Sequence, residues 1–393
     1  MSASEFDAAL HPHRRFNPLT EEYVLVSPHR ARRPWLGQVE PPQPVSLPEY
    51  DPSCFLCPGN ERVGGTTNPV YSSTFTFSND FAALAPAPVP SPPEPVHPLL
   101  ETRPVHGHCD VLVFHPRHDL SLARLKPAAI SSIIDEWTRV YAKRSSDDGI
   151  RYIQIFEARS SVYFDVLQGL PSLQNKGAMM GCSNPHPHGQ VWSMSDVPSI
   201  PAKELASFQR YASSKVGSSK APRGPFERPC LLCEYAHFEA NNAADVRIVV
   251  RNEDWIVLVP WWATWPFEIL LLPFRRHIPS LLDLTADEKS SFAQILAEVT
   301  VRYDNLFSCS FAYSMGIHQA PISREAAEAK KECESQSDVA HLHLHFLPPL
   351  LRSASVRKFL VGFELLAEAQ RDLTPEQGAE RLRECASIHY ADI

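Results

Sequence analysis

The chain has no excess of positive charge. Its 393 residues carry 37 Lys and Arg against 45 Asp and Glu, a formal net charge of -8. Such a surface argues against non-specific binding to nucleic acid or anionic membranes, and the basic, aromatic-laced patch of a nucleic-acid reader is missing. No basic-then-apolar leader pattern occupies the first thirty residues, so a cytoplasmic protein is expected. An unbroken apolar run is lacking too. The nearest, Ile256 to Phe274, is interrupted by Pro260, Pro266 and Pro273 and charged at Glu268, which predicts two buried strands joined by a turn. Strands do not alternate with helices in the βαβ manner, which favours an antiparallel sheet.

What is present is enough for a sizeable core: 44% hydrophobic and 21% charged residues, in a length suited to one large domain or two ordinary ones. The nine cysteines are an odd count, and four form two C-x-x-C pairs; in a reducing compartment that pattern points to metal before disulfides. Pro-rich stretches at 41–48 and 86–98 read as extended connectors. Helices are expected over Pro127–Arg144, Thr285–Phe307, Val356–Arg371 and Pro375–Ala386, the second opening on a Thr285/Glu288 capping box.

An internal repeat organises the chain. NDFAAL from Asn79, VLVFHPRH ending at His118, a helix and HPHGQVW (His186–Trp192) recur in order as NEDWIVLV from Asn252, ILLLPFRRH ending at His277, a helix and HLHLHFLPP (His341–Pro349). The expectation is an α+β fold of two related halves, residues 1–198 and 199–393. Each would be a mainly antiparallel half-barrel sheet flanked by helices and ending in a histidine-bearing strand.

Three constellations carry chemistry. In Asn184-Pro-His186-Pro-His188-Gly-Gln190, alternation along a strand places His186, His188 and Gln190 on one face. A neutral imidazole attacks phosphorus well when its other nitrogen donates to a fixed acceptor. The small residues of Gly177–Ser183 ahead of it let backbone N–H groups approach phosphate oxygens. Cys54-Phe-Leu-Cys57, completed by His118 and His186, suits a four-ligand structural zinc site. His341, His343 and His345 alternate onto one face, with His318 upstream, and burying them together favours a metal over a plain core cluster. Cys230 and Cys233 have no partners at zinc-finger spacing and read as unliganded thiols.

These residues resemble the galactose-1-phosphate uridylyltransferase branch of the histidine-triad superfamily. CFLCPGN, SNDFAAL, GCSNPHPHGQVW, VPWWATWPFEILLLP, RYDNLF and HFLPPLLRSASVRKFLVGFE carry the likeness over nearly the whole chain. Gln190 stands where most triad hydrolases have histidine. The resemblance implies two histidine-triad-like halves and ping-pong transfer of UMP from UDP-glucose to galactose 1-phosphate. His188 would be the nucleophile, oriented by the backbone carbonyl of His186, and Gln190 a neutral donor to phosphate.

It also implies zinc on Cys54, Cys57, His118 and His186, and iron or zinc on Glu204, His318, His343 and His345. Nucleotide contacts would come from Val63, Asn79, Asp80 and Asn175, and from Gly181, Cys182 and Ser183. Arg30 and Arg33 resemble phosphate-binding arginines that reach the partner's site in a homodimer whose active sites lie at the subunit interface. Lys358, Phe359, Val361, Phe363, Glu364 and Gln370 resemble the hexose-handling segment. Phe363 replaces the family's usual Tyr and loses a hydroxyl. Ala158–Gln174 is a 17-residue insertion between Glu157 and Asn175. It reads either as an ordered surface excursion or as a disruption that displaces Asn175 and disables the enzyme. Its ends also match what a retained intron of 17 codons would encode. Two rivals share parts of the pattern: a dinucleoside-polyphosphate phosphorylase or hydrolase with the same nucleophile, and a zinc-binding adaptor.

Overall fold

In this computed structural model the described residues are 5–32, 47–159, 184–214, 216–218, 220–244, 246–322, 339–353, 356–357 and 360–393. In chain order they form β1 (His13–Asn17), β2 (Glu22–Val26), β3 (Phe75–Ser78), β4 (Gly107–Val113), α1 (Pro127–Ser145), β5 (Tyr152–Arg159), β6 (His188–Met194), α2 (Ser199–Ala212) and α3 (Leu231–Asn241). There follow β7 (Ile248–Arg251), β8 (Trp255–Leu258), β9 (Ile269–Pro273), α4 (Ala286–Phe307), β10 (Tyr313–His318), β11 (His343–Leu347) and β12 (Leu350–Ser353). The chain closes with β13 (Val356–Arg357), α5 (Phe363–Leu366), β14 (Ala369–Arg371) and α6 (Pro375–Arg383).

Nine strands make one sheet in the order β3-β4-β6-β5-β10-β11-β9-β8-β7, and every neighbouring pair within it is antiparallel. Read outward from the β5–β10 seam, β6, β4 and β3 on one side answer β11, β9 and β8 on the other. The repeat therefore appears in space as two like arms joined edge to edge, α+β as expected and open rather than closed into a barrel.

The helices that cover one face follow from sequence periodicity. In α1, Pro127 opens the first turn, and Ile130, Ile133, Ile134, Trp137, Val140 and Tyr141 recur at helical spacing and are buried. In α4, Thr285 accepts from the Glu288 N–H while the Glu288 carboxylate accepts from the Thr285 N–H, so the expected capping box forms. Both helices pack into a single core with Leu112, Val191, Leu271, Leu344 and Phe346 of the sheet. On α1, the buried Arg144 makes a bidentate pair with Asp110 of β4, 2.7 Å for each bond, tying helix to sheet. A second core joins α2 and α3 to Ile256, Leu258, Leu270 and Leu272 on the opposite face.

The apolar run from Ile256 contains two buried strands, β8 and β9, paired antiparallel. No helix of the described residues is long and apolar enough to cross a membrane. The helix expected over Val356–Arg371 does not form. Gly362 takes φ +53 and breaks the segment, leaving the short α5, and Ala369–Arg371 instead pairs in parallel with β2, supplying the edge of a three-stranded sheet β1-β2-β14. Ala158 and Arg159 close β5, opposite Ser314 and Tyr313 of β10, and residues 160–174 lie outside the described residues.

Candidate active site and metal centres

Strand β6 begins at His188. His188, Gln190 and Trp192 are half-buried while Gly189, Val191 and Ser193 are buried, so the expected alternation starts there. His186 lies in a bend ahead of the strand and turns its ring elsewhere. Its backbone carbonyl is 2.7 Å from Nδ1 of His188. That contact fixes the tautomer: Nδ1 keeps its proton and donates, and Nε2 carries the lone pair. Burial holds the pKa of His188 below the ordinary imidazole value, against the opposing pull of the His186 carbonyl, so the ring is neutral near pH 7.

Gln190 is fixed in the same way. Trp192 Nε1–H, which can only donate, reaches Gln190 Oε1 at 2.9 Å, and Asn79 Nδ2 lies 3.5 Å from the same oxygen. The amide oxygen is thereby engaged and the NH2 is left as the outward donor. Gly189 between the two residues is a steric requirement. A Cβ there would lie 2.9 Å from the Phe156 carbonyl oxygen and 3.0 Å from the Phe114 ring.

Among the described residues three groups of ligand atoms converge, each with its atoms within 4.8 Å of one another. The first is the expected Cys54, Cys57, His118 and His186, all buried. His186 Nε2–H donates to the His115 carbonyl at 2.8 Å, which turns Nδ1 toward the sulfurs of Cys57 at 3.5 Å and Cys54 at 3.9 Å. His118 Nδ1 is 3.7 Å from Cys57. Asn60 and Asn68 clamp the C-x-x-C turn by donating to the carbonyls of Cys54, Phe55 and Cys57. Burial pushes the Cys57 thiol up to about 11 and His186 down to about 4, so without a cation these groups are neutral. Two thiols and two neutral imidazoles at tetrahedral spacing fit a metal that draws the thiolates out.

The second group is Glu204 on α2, His318 at the end of β10, and His343 and His345 on β11. Glu204 lies 2.7 Å from His318, 3.6 Å from His343 and 3.4 Å from His345. Burial pushes the carboxyl up, but the facing histidines outweigh it and hold it well below the usual range. Nε2 of His343 and of His345 are buried without a hydrogen bond, and orphaned imidazole nitrogens around one carboxylate fit a bound cation.

The third group overturns a sequence expectation. Cys230 and Cys233 are not isolated thiols, because His277 and His341 converge on them. His341 accordingly does not join His343 and His345, although alternation placed all three together. β11 begins at His343, so His341 is free of the strand's pleat.

Of the expected nucleotide contacts, Asn79 touches Gln190 and Asp80 stands 3.6 Å from Arg62, a residue the sequence reading passed over. Arg62 also stacks over Phe77 at 4.0 Å. Val63 is exposed beside this pair. Arg30 sits at the surface in a short 3-10 turn after β2. Val361 and Phe363 are exposed, and Glu364 accepts from the Gln370 N–H at 3.2 Å next to the three-stranded sheet. Arg33, Asn175, Gly181, Cys182, Ser183, Lys358 and Phe359 lie outside the described residues.

A tautomer-locked histidine beside a fixed amide donor, on a duplicated antiparallel sheet, is the equipment of a nucleotidyltransferase. Residues 1–162 and 167–198 match the family model described as galactose-1-phosphate uridyl transferase, N-terminal domain, and residues 204–392 match that of its C-terminal domain. The galactose-1-phosphate uridylyltransferase of Cryptococcus neoformans var. neoformans serotype D is 49% identical over 384 residues, 95% of this chain and 90% of that one. The Rattus norvegicus enzyme of the same name is 45% identical over 391 residues, 99% of this chain and 91% of that one. A solved uridylyltransferase structure superposes with a TM-score of 0.65 at 25% identity, covering 95% of this chain and 97% of the other. The chain belongs to the galactose-1-phosphate uridylyltransferase family.

Proposed function

We propose that the chain moves a uridylyl group from UDP-glucose to galactose 1-phosphate through a covalent bond to His188. The observation that carries this reading is the 2.7 Å contact between His188 Nδ1 and the His186 carbonyl, which leaves the lone pair on Nε2. In the first half-reaction the Nε2 lone pair forms a bond to the α-phosphorus, and the bond from that phosphorus to the oxygen of glucose 1-phosphate breaks. In the second, a phosphate oxygen of galactose 1-phosphate attacks, the N–P bond breaks and UDP-galactose leaves. The Nδ1 proton stays on His188 throughout, donated to the His186 carbonyl. Because each leaving group is itself a phosphate or an imidazole, no strong acid is needed. The fixed NH2 of Gln190 stabilises charge on a phosphoryl oxygen without giving up a proton.

Cys54, Cys57, His118 and His186 hold zinc in this reading, and Glu204, His318, His343 and His345 hold iron or zinc. A closed four-ligand zinc leaves no position for substrate, so its part is to pin the segment that bears His186. Val63, Asn79, Asp80, Asn175, Gly181, Cys182 and Ser183 receive the nucleotide. Lys358, Phe359, Val361, Phe363, Glu364 and Gln370 receive the hexose. The exposure of Val361 and Phe363 supports a homodimer in which that segment, with Arg30 and Arg33, completes a shared site in the cytoplasm. The bounds of the two matched family regions support division into halves near residue 198.

The test is intact mass spectrometry after incubation with UDP-glucose. Wild type should gain one uridylyl mass, discharged by galactose 1-phosphate to UDP-galactose, and folded His188→Gly should gain none. Discharge that requires no galactose 1-phosphate would favour a hydrolase or phosphorylase.

A further inference from the structure

Pseudo-equivalent positions in the two arms carry the same hydrogen-bond pattern. In the first arm, His186 donates through Nε2–H to the carbonyl of His115, just beyond β4, presents Nδ1 to the C-x-x-C sulfurs, and offers its own carbonyl to the next histidine but one, His188. In the second arm, His341 donates through Nε2–H to the carbonyl of Pro273, the last residue of β9, at 2.9 Å. It presents Nδ1 to the Cys233 sulfur at 3.8 Å and offers its carbonyl to His343 Nδ1 at 2.7 Å. His277 then stands where His118 does, its Nδ1 4.0 Å from Cys233. The sulfur of Cys230 accepts from the backbone N–H of Cys233 at 3.4 Å, as Cys54 does from that of Leu56.

We propose that Cys230, Cys233, His277 and His341 form a third metal centre, a closed Cys2His2 zinc site, which pins His341 and through its carbonyl orients His343.

The chemistry of the donors selects the ion. Two thiolates and two neutral imidazoles suit zinc, whose bond lengths of about 2.3 Å to sulfur and 2.0 Å to nitrogen place neighbouring ligand atoms about 3.3–3.8 Å apart. The observed separations of 3.8 and 4.0 Å close to that tetrahedron with shifts of a few tenths. A second observation points independently to a ligand. His277 Nε2 is buried with no hydrogen-bond partner, while Nδ1 of the same ring faces the Cys233 sulfur at 4.0 Å. One contact must yield: the Ile278 N–H lies 3.2 Å from His341 Nδ1, and a metal would take that lone pair. All four ligands are donated by the protein, so no position remains for substrate and the centre is structural. Its reach into the rest of the molecule is His343, which carries Nε2 to the Glu204 cluster. The third centre thus supports the second as the first supports His188.

The experiment counts metal on the intact, folded chain by native mass spectrometry, after expression with zinc and after replacement by cobalt. Wild type should carry about three metals and folded Cys230→Ser/Cys233→Ser about two, with the thiolate-to-cobalt absorption falling by about half as four thiolates become two. Single-turnover uridylylation of His188 should persist in that variant, and this readout separates failure of the third centre from failure of the proposed activity. Should the double variant not fold, His277→Ala and His277→Cys decide the matter. The alanine should lose one metal and the cysteine, still a tetrahedral donor, should restore it. Two metals on wild type, with the thiolate-to-cobalt absorption unchanged in any folded variant, would overturn the proposal.

Discussion

The Cys54–Cys57–His118–His186 cluster and His188, the proposed nucleophile, are joined through one residue, and that join can be cut without touching His188. In Cys54→Ser/Cys57→Ser the ring of His186 loses the sulfurs 3.5 and 3.9 Å from its Nδ1. Its ring then keeps hydrogen-bond contacts with the His115 carbonyl and the Tyr71 hydroxyl, at 2.8 and 3.4 Å, and an edge contact with the His118 ring. The carbonyl that holds His188 Nδ1–H then sits on a residue no longer fixed from the far side. A hydrogen bond to a group that becomes charged is worth about 1.5–3 kcal/mol. As the imidazole gains positive character during attack, its partial loss should raise the barrier by a comparable amount. That corresponds to uridylylation slowed roughly 10–100-fold, the range usual for loss of an orienting partner beside a reactive group. The assay is single-turnover transfer from UDP-glucose, followed by intact mass, at saturating substrate. Metal content and far-ultraviolet circular dichroism are read on the same sample. Binding of UDP-glucose should change less than the rate does. If the metal is gone, the fold is intact and the rate stays within about twofold, the carbonyl does not need the cluster's metal and the reasoning fails.

Two further outcomes follow from the geometry. Burial lowers His186, His341 and His345 to about 4 in the folded protein, while the unfolded chain titrates them near 6.5, so between those values the unfolded state binds more protons. Their stabilisation is whole above about pH 6.5 and declines by roughly 1.4 kcal/mol per unit for each histidine as pH falls toward 4, with metal loss steepening the fall; a denaturation midpoint unchanged between pH 7 and 5 would contradict this. Gly189→Ala should lower stability by about 1–3 kcal/mol, because the added methyl meets the Phe156 carbonyl oxygen and the Phe114 ring. It should also slow uridylylation by shifting β6 under His188, an effect read by urea unfolding together with the single-turnover rate.

Much of the architecture was legible because the repeat was legible. Matching VLVFHPRH to ILLLPFRRH and HPHGQ to HLHLH amounted to pairing β4 with β9 and β6 with β11, and the sheet places those strands in corresponding positions. The Cys54 and Glu204 clusters converge with the residues expected of each. The Cys230 cluster was missed, although its signal was in the same repeat. His277 closes the RRH that answers His118, and His341 opens the motif that answers His186. Zinc-finger spacing does not find them, since the cysteines open α3 while the histidines lie beyond β9 and ahead of β11, far away in sequence. The helix expected near Val356 failed for a different reason. Its apolar spacing is real, but Gly362 breaks it and the parallel ladder to β2 satisfies the backbone of Ala369–Arg371 instead. Arg62 carried no motif and became visible only through Asp80 and Phe77.

The seam between the arms has a cost that appears only when the chain is shortened. β5 and β10 are interior strands, each bonded on both sides, and their pairing joins Glu157 to Met315 and Phe156 to Gly316. Expressed alone, residues 1–198 would leave β5 as a raw edge, a row of unpaired N–H and C=O groups without a proline, its charges confined to Glu157 and Arg159 at the C-terminal end. A truncated product would therefore seek another copy of itself to supply the missing strand. Loss of the second arm would be felt first as self-association, before any question of catalysis arose.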